Sequence, residues 1–511
     1  MKIFHSYFSS HIALPVIVAC LCFVLASCHQ VQIPGQFTKK DTAPKIYPDY
    51  VGVTIPVNIA PLTFKMDSPS EEMVARLSYN GQEIICGGED ARPDIDEWHS
   101  LMEKASGHDI TVEVYSKENG GWVLYQPFSI TVSPDSIDPY ISYRLISPSY
   151  VTYEELTINQ RCLENYDERV IYDNMLCTTA TDGQCINCHN YQQYNPDRMQ
   201  FHARQNHGGT VIAYDGHVKK VNMKNDSILS AGVYPTWHPW LKLIVYSTNK
   251  TSQSFHTRDL NKIEVFDAGS DLIAFDIDKN EVTNIENDPD EMEVFPFWAP
   301  DGKMLYYCSA HFEYKDTVSK EVETIRRAKE LKYNIYRKSF DPETRTFGHR
   351  ELVFNADSLN KSATLPRISP DGKWLVFTLG EYGCFHIWHR DADLWMMNLQ
   401  TREARNLEEV NSNNTESYHS WSSNGRWLVF SSRRYDGGYT RPFFAHVNKD
   451  GMGSKPFELP QPFPDYNRMS MKCFNIPEFM KGPVKVSPQS FADILRGSGE
   501  PPVKYVQQLR P

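Results

Sequence analysis

Between residues 49 and 133 apolar and polar residues alternate. Val51, Val53 and Ile55; Val74, Ala75, Leu77 and Tyr79; Ile110, Val112 and Val114; Trp122, Leu124 and Tyr125; and Phe128, Ile130 and Val132 read as short strands with one face buried. Asn80-Gly81 and Asn119-Gly120-Gly121 are the tight turns between them. The pattern predicts a small antiparallel sandwich, and since no polar residues cluster in it, its expected role is that of a spacer.

Beyond residue 198 the same alternation becomes a repeat. Tyr234-Pro235-Thr236-Trp237-His238-Pro239 leads to Leu243-Ile244-Val245-Tyr246, and Phe295-Pro296-Phe297-Trp298-Ala299-Pro300-Asp301-Gly302 leads to Leu305-Tyr306-Tyr307-Cys308. Leu365-Pro366-Arg367-Ile368-Ser369-Pro370-Asp371-Gly372 leads to Trp374-Leu375-Val376-Phe377, and Tyr418-His419-Ser420-Trp421-Ser422-Ser423-Asn424-Gly425 leads to Trp427-Leu428-Val429-Phe430. Each copy is strand, tight turn, strand, and a second hairpin follows each, as a four-stranded blade requires. These copies resemble the TolB-type, WD-repeat-like β-propeller motif over most of residues 199–460. A partial blade at 199–223 precedes them, and the tail around 466–479 is expected to complete a blade. The expected fold is all-β: a five- or six-bladed β-propeller over 198–511, preceded by an immunoglobulin-like β-sandwich at 49–133. Residues 134–197 form a Tyr-rich connector between the two.

The N-terminus changes the setting. An apolar run from Ile12 to Val24 ends in Leu25-Ala26-Ser27-Cys28, the pattern of a signal peptide too short to span a bilayer. Its end resembles the bacterial lipobox, which implies a signal over 1–27, lipidation of Cys28 and a tether over 28–48. With no aspartate after Cys28, the resemblance implies an outer-membrane lipoprotein of a Gram-negative envelope, facing the periplasm. The formal charge of -12 and the lack of a basic run argue against a nucleic-acid partner.

Inside the connector, Cys185-Ile186-Asn187-Cys188-His189 spells C-x-x-C-H. The string resembles the haem-attachment motif of c-type cytochromes, which implies a covalent haem c on Cys185 and Cys188 with His189 as proximal iron ligand. Met199 and His202 are the alternative distal ligands. The resemblance covers five residues, without the helices that wrap a conventional cytochrome haem. Two functions therefore stand side by side. One is a redox protein transferring electrons or binding a partner in a redox-linked way. The other is a non-redox scaffold or ligand-binding propeller, for protein, peptide or glycan, in which Cys185 and Cys188 pair as a disulfide. Elsewhere Cys162 and Cys177 are the expected pair.

On one propeller face the connections are long, at 248–270, 310–333, 379–392 and 433–441, and long connections carry function. Asn249, His256, His389, Asp391, Asp393, Arg433 and Arg434 are the binding candidates there. The run from His386 through His389 to Asp393 suits either a metal or a hydrogen-bonded loop, and the arginines suit an anion or a partner. No G-x-S-x-G, H-E-x-x-H or phosphate-cradling loop occurs, so binding or electron transfer is favoured over catalysis.

Overall fold

The computed structural model describes residues 31–148, 155–179, 182–315, 318–499 and 501–507. The signal peptide and Cys28 lie outside the described residues. Among the described residues no helix is long and apolar enough to cross a membrane.

The first strands form where the alternation places them. Glu72–Tyr79, Gln82–Gly88, Asp109–Glu118, Gly121–Leu124 and Phe128–Ser133 pair antiparallel, and Thr38–Lys39 and Thr54–Pro56 add in parallel. Asn80 and Gly81 both take positive φ, as a two-residue hairpin turn demands. By its hydrogen bonding this is one continuous sheet of seven strands, where two facing sheets were expected. A helix, Ile95–Lys104, covers it, capped by the Asp94 carboxylate accepting from the N–H groups of Asp96 and Glu97. Trp98, Leu101 and Met102 of that helix are buried in the same core as Ile55, Val112 and Ile130.

The four repeats fold as four-stranded antiparallel units in a propeller-like arrangement, the first two bridged at Ser270 and Met292 and the first extended by the parallel strand Lys504–Tyr505. They span 233–286, 291–354, 362–406 and 416–458. In the first, strands Leu243–Phe255 and Ile263–Asp276 run on past the sheet as a protruding hairpin.

Two more four-stranded sheets draw the expected connector together with the partial blade at 199–223 and the tail around 466–479. Gln184–Tyr191 pairs with Arg198–Gln205, Gly209–Tyr214 and His217–Val221. Tyr140–Ile146, Thr157–Cys162 and Glu168–Asp173 are completed by the C-terminal strand Cys473–Met480. The tyrosines of the stretch explain its order, since Tyr143, Tyr172 and Tyr191 are buried.

The seven-stranded sheet is no free spacer. Its core is continuous with Trp427, Val429, Phe444 and Phe457 of the 416–458 sheet. Between them Asp135 accepts from His446 and Arg426, and Trp427 Nε1 donates to its carbonyl at 3.0 Å.

Candidate functional site

The C-x-x-C-H residues lie in the innermost strand of their sheet, at a β-bulge. The ladder to Arg198–Gln205 skips Cys188 and His189, and Cys188 takes φ 57°. The carbonyl thus released from the ladder accepts from Gln200 Nε2. The same irregularity occurs in every other four-stranded sheet. The ladders skip Tyr234-Pro235, Phe295-Pro296, Leu365-Pro366, Tyr418-His419 and Ile476-Pro477, and the first residue of each pair has φ between 47° and 56°. Proline is accommodated at the second position because its missing N–H faces no ladder partner.

These bulges converge. A waist of about 20 Å³, room for about one water, is lined by Cys188, Tyr234, Phe295, Leu365, Tyr418 and Ile476, one residue from each of six sheets. On one side lies a space of about 90 Å³ with Tyr194, Trp237, Trp298 and Trp421 on its walls. On the other lies a mouth of about 300 Å³. Arg144, Cys185, Asn187, Arg204, Tyr234 and Tyr418 line the mouth, with Thr251 to Gln253 of the protruding hairpin and Phe385 to Trp388 of a long loop. It therefore opens on the elaborated face. A larger groove of about 620 Å³ lies elsewhere, along outer strands; there Lys338 and Glu286 are paired at 2.5 Å.

The electrostatics around the motif are those of a dry interior. Burial pushes the His189 imidazole down to about 3, with the Arg144 guanidinium acting in the same direction, so the ring is neutral. Burial raises the Cys188 thiol, so it is protonated. The His189 ring faces the backbone of Ser142 and Ile476 within hydrogen-bonding reach, whereas Arg144 Nε and Asn187 Oδ1 nearby have no hydrogen-bond partner among the described residues. A group of buried polar atoms left in this state needs something to satisfy it.

Cys185 and Cys188 are free thiols, as are Cys162 and Cys177. The disulfides considered from sequence are thus not formed, and for Cys185 and Cys188 the strand supplies the reason. Three residues of extended chain span ~10 Å, beyond the Cα separation of ~7 Å that a disulfide tolerates. The same extension bears on haem. Cys185 opens on the mouth, whereas Cys188 and His189 open on the waist, so the three residues as arranged do not fit one porphyrin. Of the two distal candidates, Met199 is packed in the apolar core with Phe201 and Tyr172. His202 Nδ1 lies 3.0 Å from Thr210 Oγ1, and burial pushes its ring down to about 3. Neither lines the waist.

The face candidates separate. Asn249 Nδ2 donates to Asp267 at 2.7 Å, and the His256 N–H closes the tip of the protruding hairpin on Lys262. His389 is buried with Nε2 2.8 Å from Glu264, which also accepts from Tyr382. Asp393 accepts from Asn406, and Asp391 lies 4.0 Å from Lys361. The loop is thus hydrogen-bonded, and among the described residues no three His, Cys, Asp or Glu side chains are grouped to hold a metal. Arg434 is taken up by Glu416 and the Val410 carbonyl. Arg433 lies 4.5 Å over the ring of Trp388, beside the mouth, with Nε and Nη2 unpartnered. Sequence reasoning missed Arg144, Arg204, Asn475 and Tyr418; only Tyr418, as the first residue of a repeat, carried a signal.

No family model matches the chain, and no curated protein matches it. Among solved structures, prolyl oligopeptidase B from Galerina marginata is similar at 10% identity and TM-score 0.34, over 69% of this chain and 43% of that one. The chain thus spans under half the length of that structure. An oligogalacturonate lyase is similar at 12% identity and TM-score 0.29, over 67% and 86%. A DUF4784 family protein from Bacteroides caccae is similar at 7% identity and TM-score 0.28, over 72% and 96%. At these values nothing of their activities passes to this chain.

Proposed function

We propose that this protein is a ligand-binding propeller of the bacterial envelope, anchored through a lipid on Cys28, whose binding site is the mouth of the central channel. The observation that carries the reading is the 300 Å³ mouth itself, fed by five sheets and ringed by buried polar atoms that no protein group satisfies. In this reading the ring has six blades. The strand Cys473–Met480 closes it by completing the sheet begun at Tyr140, and six bulges meeting at one waist support that count. The sheet of residues 38–133 buttresses the 416–458 blade.

The test is a thermal-shift panel of sugars, sugar acids, amino acids and short peptides on the wild type and on Ser252→Trp, which fills the mouth. Compounds that raise the wild-type melting temperature and not that of the variant are expected. A panel with no such compound overturns the reading. Anchoring is tested separately, by metabolic labelling with palmitate, which Cys28→Ser should abolish.

A second reading, covalent haem on Cys185 and Cys188, rests on the C-x-x-C-H string itself. Expression in a periplasm with haem-ligation machinery and a reduced haemochrome spectrum test it. Absence of a covalent haem band removes it.

A further inference from the structure

Resting on the mouth as the binding site, we infer that its ligand is an oxyanion carried on a single ring: the charge sits on Arg144 and the ring stacks against Trp388 and Tyr418. The chain has a formal charge of -12, yet among the described residues the mouth is lined by two arginines and no aspartate or glutamate. Local charge therefore runs against the whole, and the field in a low-dielectric cleft is set by the local groups.

Arg144 is the centre of the argument because it is buried, at 5% exposure. Its Nη1 donates to the Ile186 carbonyl at 2.9 Å, its Nε has no partner, and no carboxylate pairs with it among the described residues. A buried guanidinium is ordinarily paired, since desolvating it alone is costly. The planar fork left open suits a carboxylate or a sulfate ester, which accept in two-point fashion. Other donors stand close. Asn475 lies opposite Arg144 in register, and it shares the mouth with Asn187. Arg204 lines the rim and donates to Cys185 Sγ at 3.7 Å. Arg433, 7% exposed and stacked on Trp388, adds a second buried cation behind the aromatic wall.

Size and walls select the rest of the ligand. At about 300 Å³ the mouth is at the small end of ligand cavities, the scale of one ring. Tyr234, Phe385, Trp388 and Tyr418 are aromatic residues on its wall.

Calorimetric titration of the full chain with D-glucuronate, D-glucose 6-sulfate and D-glucose tests the inference and separates carboxylate from sulfate. Either acid should bind at least about tenfold more tightly than glucose, a ratio that one charge-assisted pair supplies. Arg144→Gln should abolish that preference, and Arg144→Lys should restore part of it. Since Arg144 also holds the Ile186 carbonyl, both variants are compared with wild type by melting temperature. Arg204→Gln, at the rim, gives a further variant that leaves the Arg144–Ile186 contact in place and should weaken the acids about threefold and reduce their salt dependence. Glucose binding as tightly as both acids overturns the oxyanion while leaving a binding mouth in place. Failure of all three sugars to bind overturns the inference, and the wider panel then decides whether the mouth binds anything. An undiminished preference for the acids in both Arg144→Gln and Arg204→Gln removes the arginines from the site.

Discussion

The strand Gln184–Tyr191 and the strand Glu416–Trp421 each carry a histidine at the second bulge position, in different company. In the first, Cys188 and His189 sit at the bulge; in the second, Tyr418 and His419 do. Both histidines are buried, and burial pushes both rings down to about 3. Yet only the first pair follows Cys185 and so spells a haem motif. The second is read as an ordinary repeat. What differs is the neighbours: His419 reaches the backbone of Val376 and Leu365, and His189 that of Ile476 and Ser142. A histidine in this place is thus compatible with pure packing in both strands.

The largest effect expected separates the first residues of the bulges. Phe295 is buried at the waist, with its ring 4.7 Å from that of Tyr234. Phe295→Ala should cost about 3–5 kcal/mol, read as a fall in the urea midpoint. Cys188→Ala, at the equivalent place, should cost about 1 kcal/mol. A loss at Cys188 as large as that at Phe295 would mean that the thiol holds more than its share of packing, and the equivalence of the two strands would break.

Acid sharpens the comparison of the histidines. Each is neutral in the folded chain down to about pH 3, whereas in the unfolded chain it takes up a proton below about 6.5. Between those values the unfolded state binds the extra proton, so stability falls with falling pH by about 1.4 kcal/mol per unit for each ring. Above about 6.5 neither ring contributes any pH dependence. His189→Gln and His419→Gln should each lessen the loss between pH 7 and pH 5 by about 2 kcal/mol, measured by urea unfolding at the two pH values. Equal changes support equivalence. No change in His189→Gln would mean that its ring is already charged or solvated, against the burial found here.

His189→Pro carries a smaller expected effect and a sharper choice. Proline occupies the second bulge position at 235, 296, 366 and 477, each time after a residue with positive φ. The substitution should therefore leave stability within about 1 kcal/mol of wild type, by thermal melting. A variant that does not fold would show that the histidine ring is needed for more than the backbone geometry of the repeat.

The propeller was legible because Pro and aromatic residues recur before Asp-Gly or Asn-Gly turns, and local turn chemistry survives in sequence. The 184–221 sheet was legible only from its second strand onward. Cys188-His189-Asn190-Tyr191 carries neither the proline nor a following Asp-Gly, and its cysteines suggested another chemistry first. The helix at 95–104 had a visible signature, an acid cap and apolar residues at 98, 101, 102 and 105, which the surrounding strand pattern obscured. The mouth could not be read at all. Arg144 and Asn475 come together only because the last strand pairs with one near the start, a register that no local pattern encodes.

The smallest effect concerns the two cysteines themselves. Their exposures, 4% for Cys185 and 2% for Cys188, are too close to rank them. Their surroundings do rank them. Cys185 faces a mouth of about 300 Å³ and has the Arg204 guanidinium at its sulfur. Cys188 faces a waist of about 20 Å³, and burial raises its thiol. Under native conditions iodoacetamide should alkylate Cys185 before Cys188, as mass spectrometry of quenched samples would show. A ligand in the mouth should slow the first reaction and leave the second unchanged. Equal rates at both sulfurs would mean that the waist opens readily in solution. The two thiols would then share one accessible space, the condition that a haem bonded to both would require.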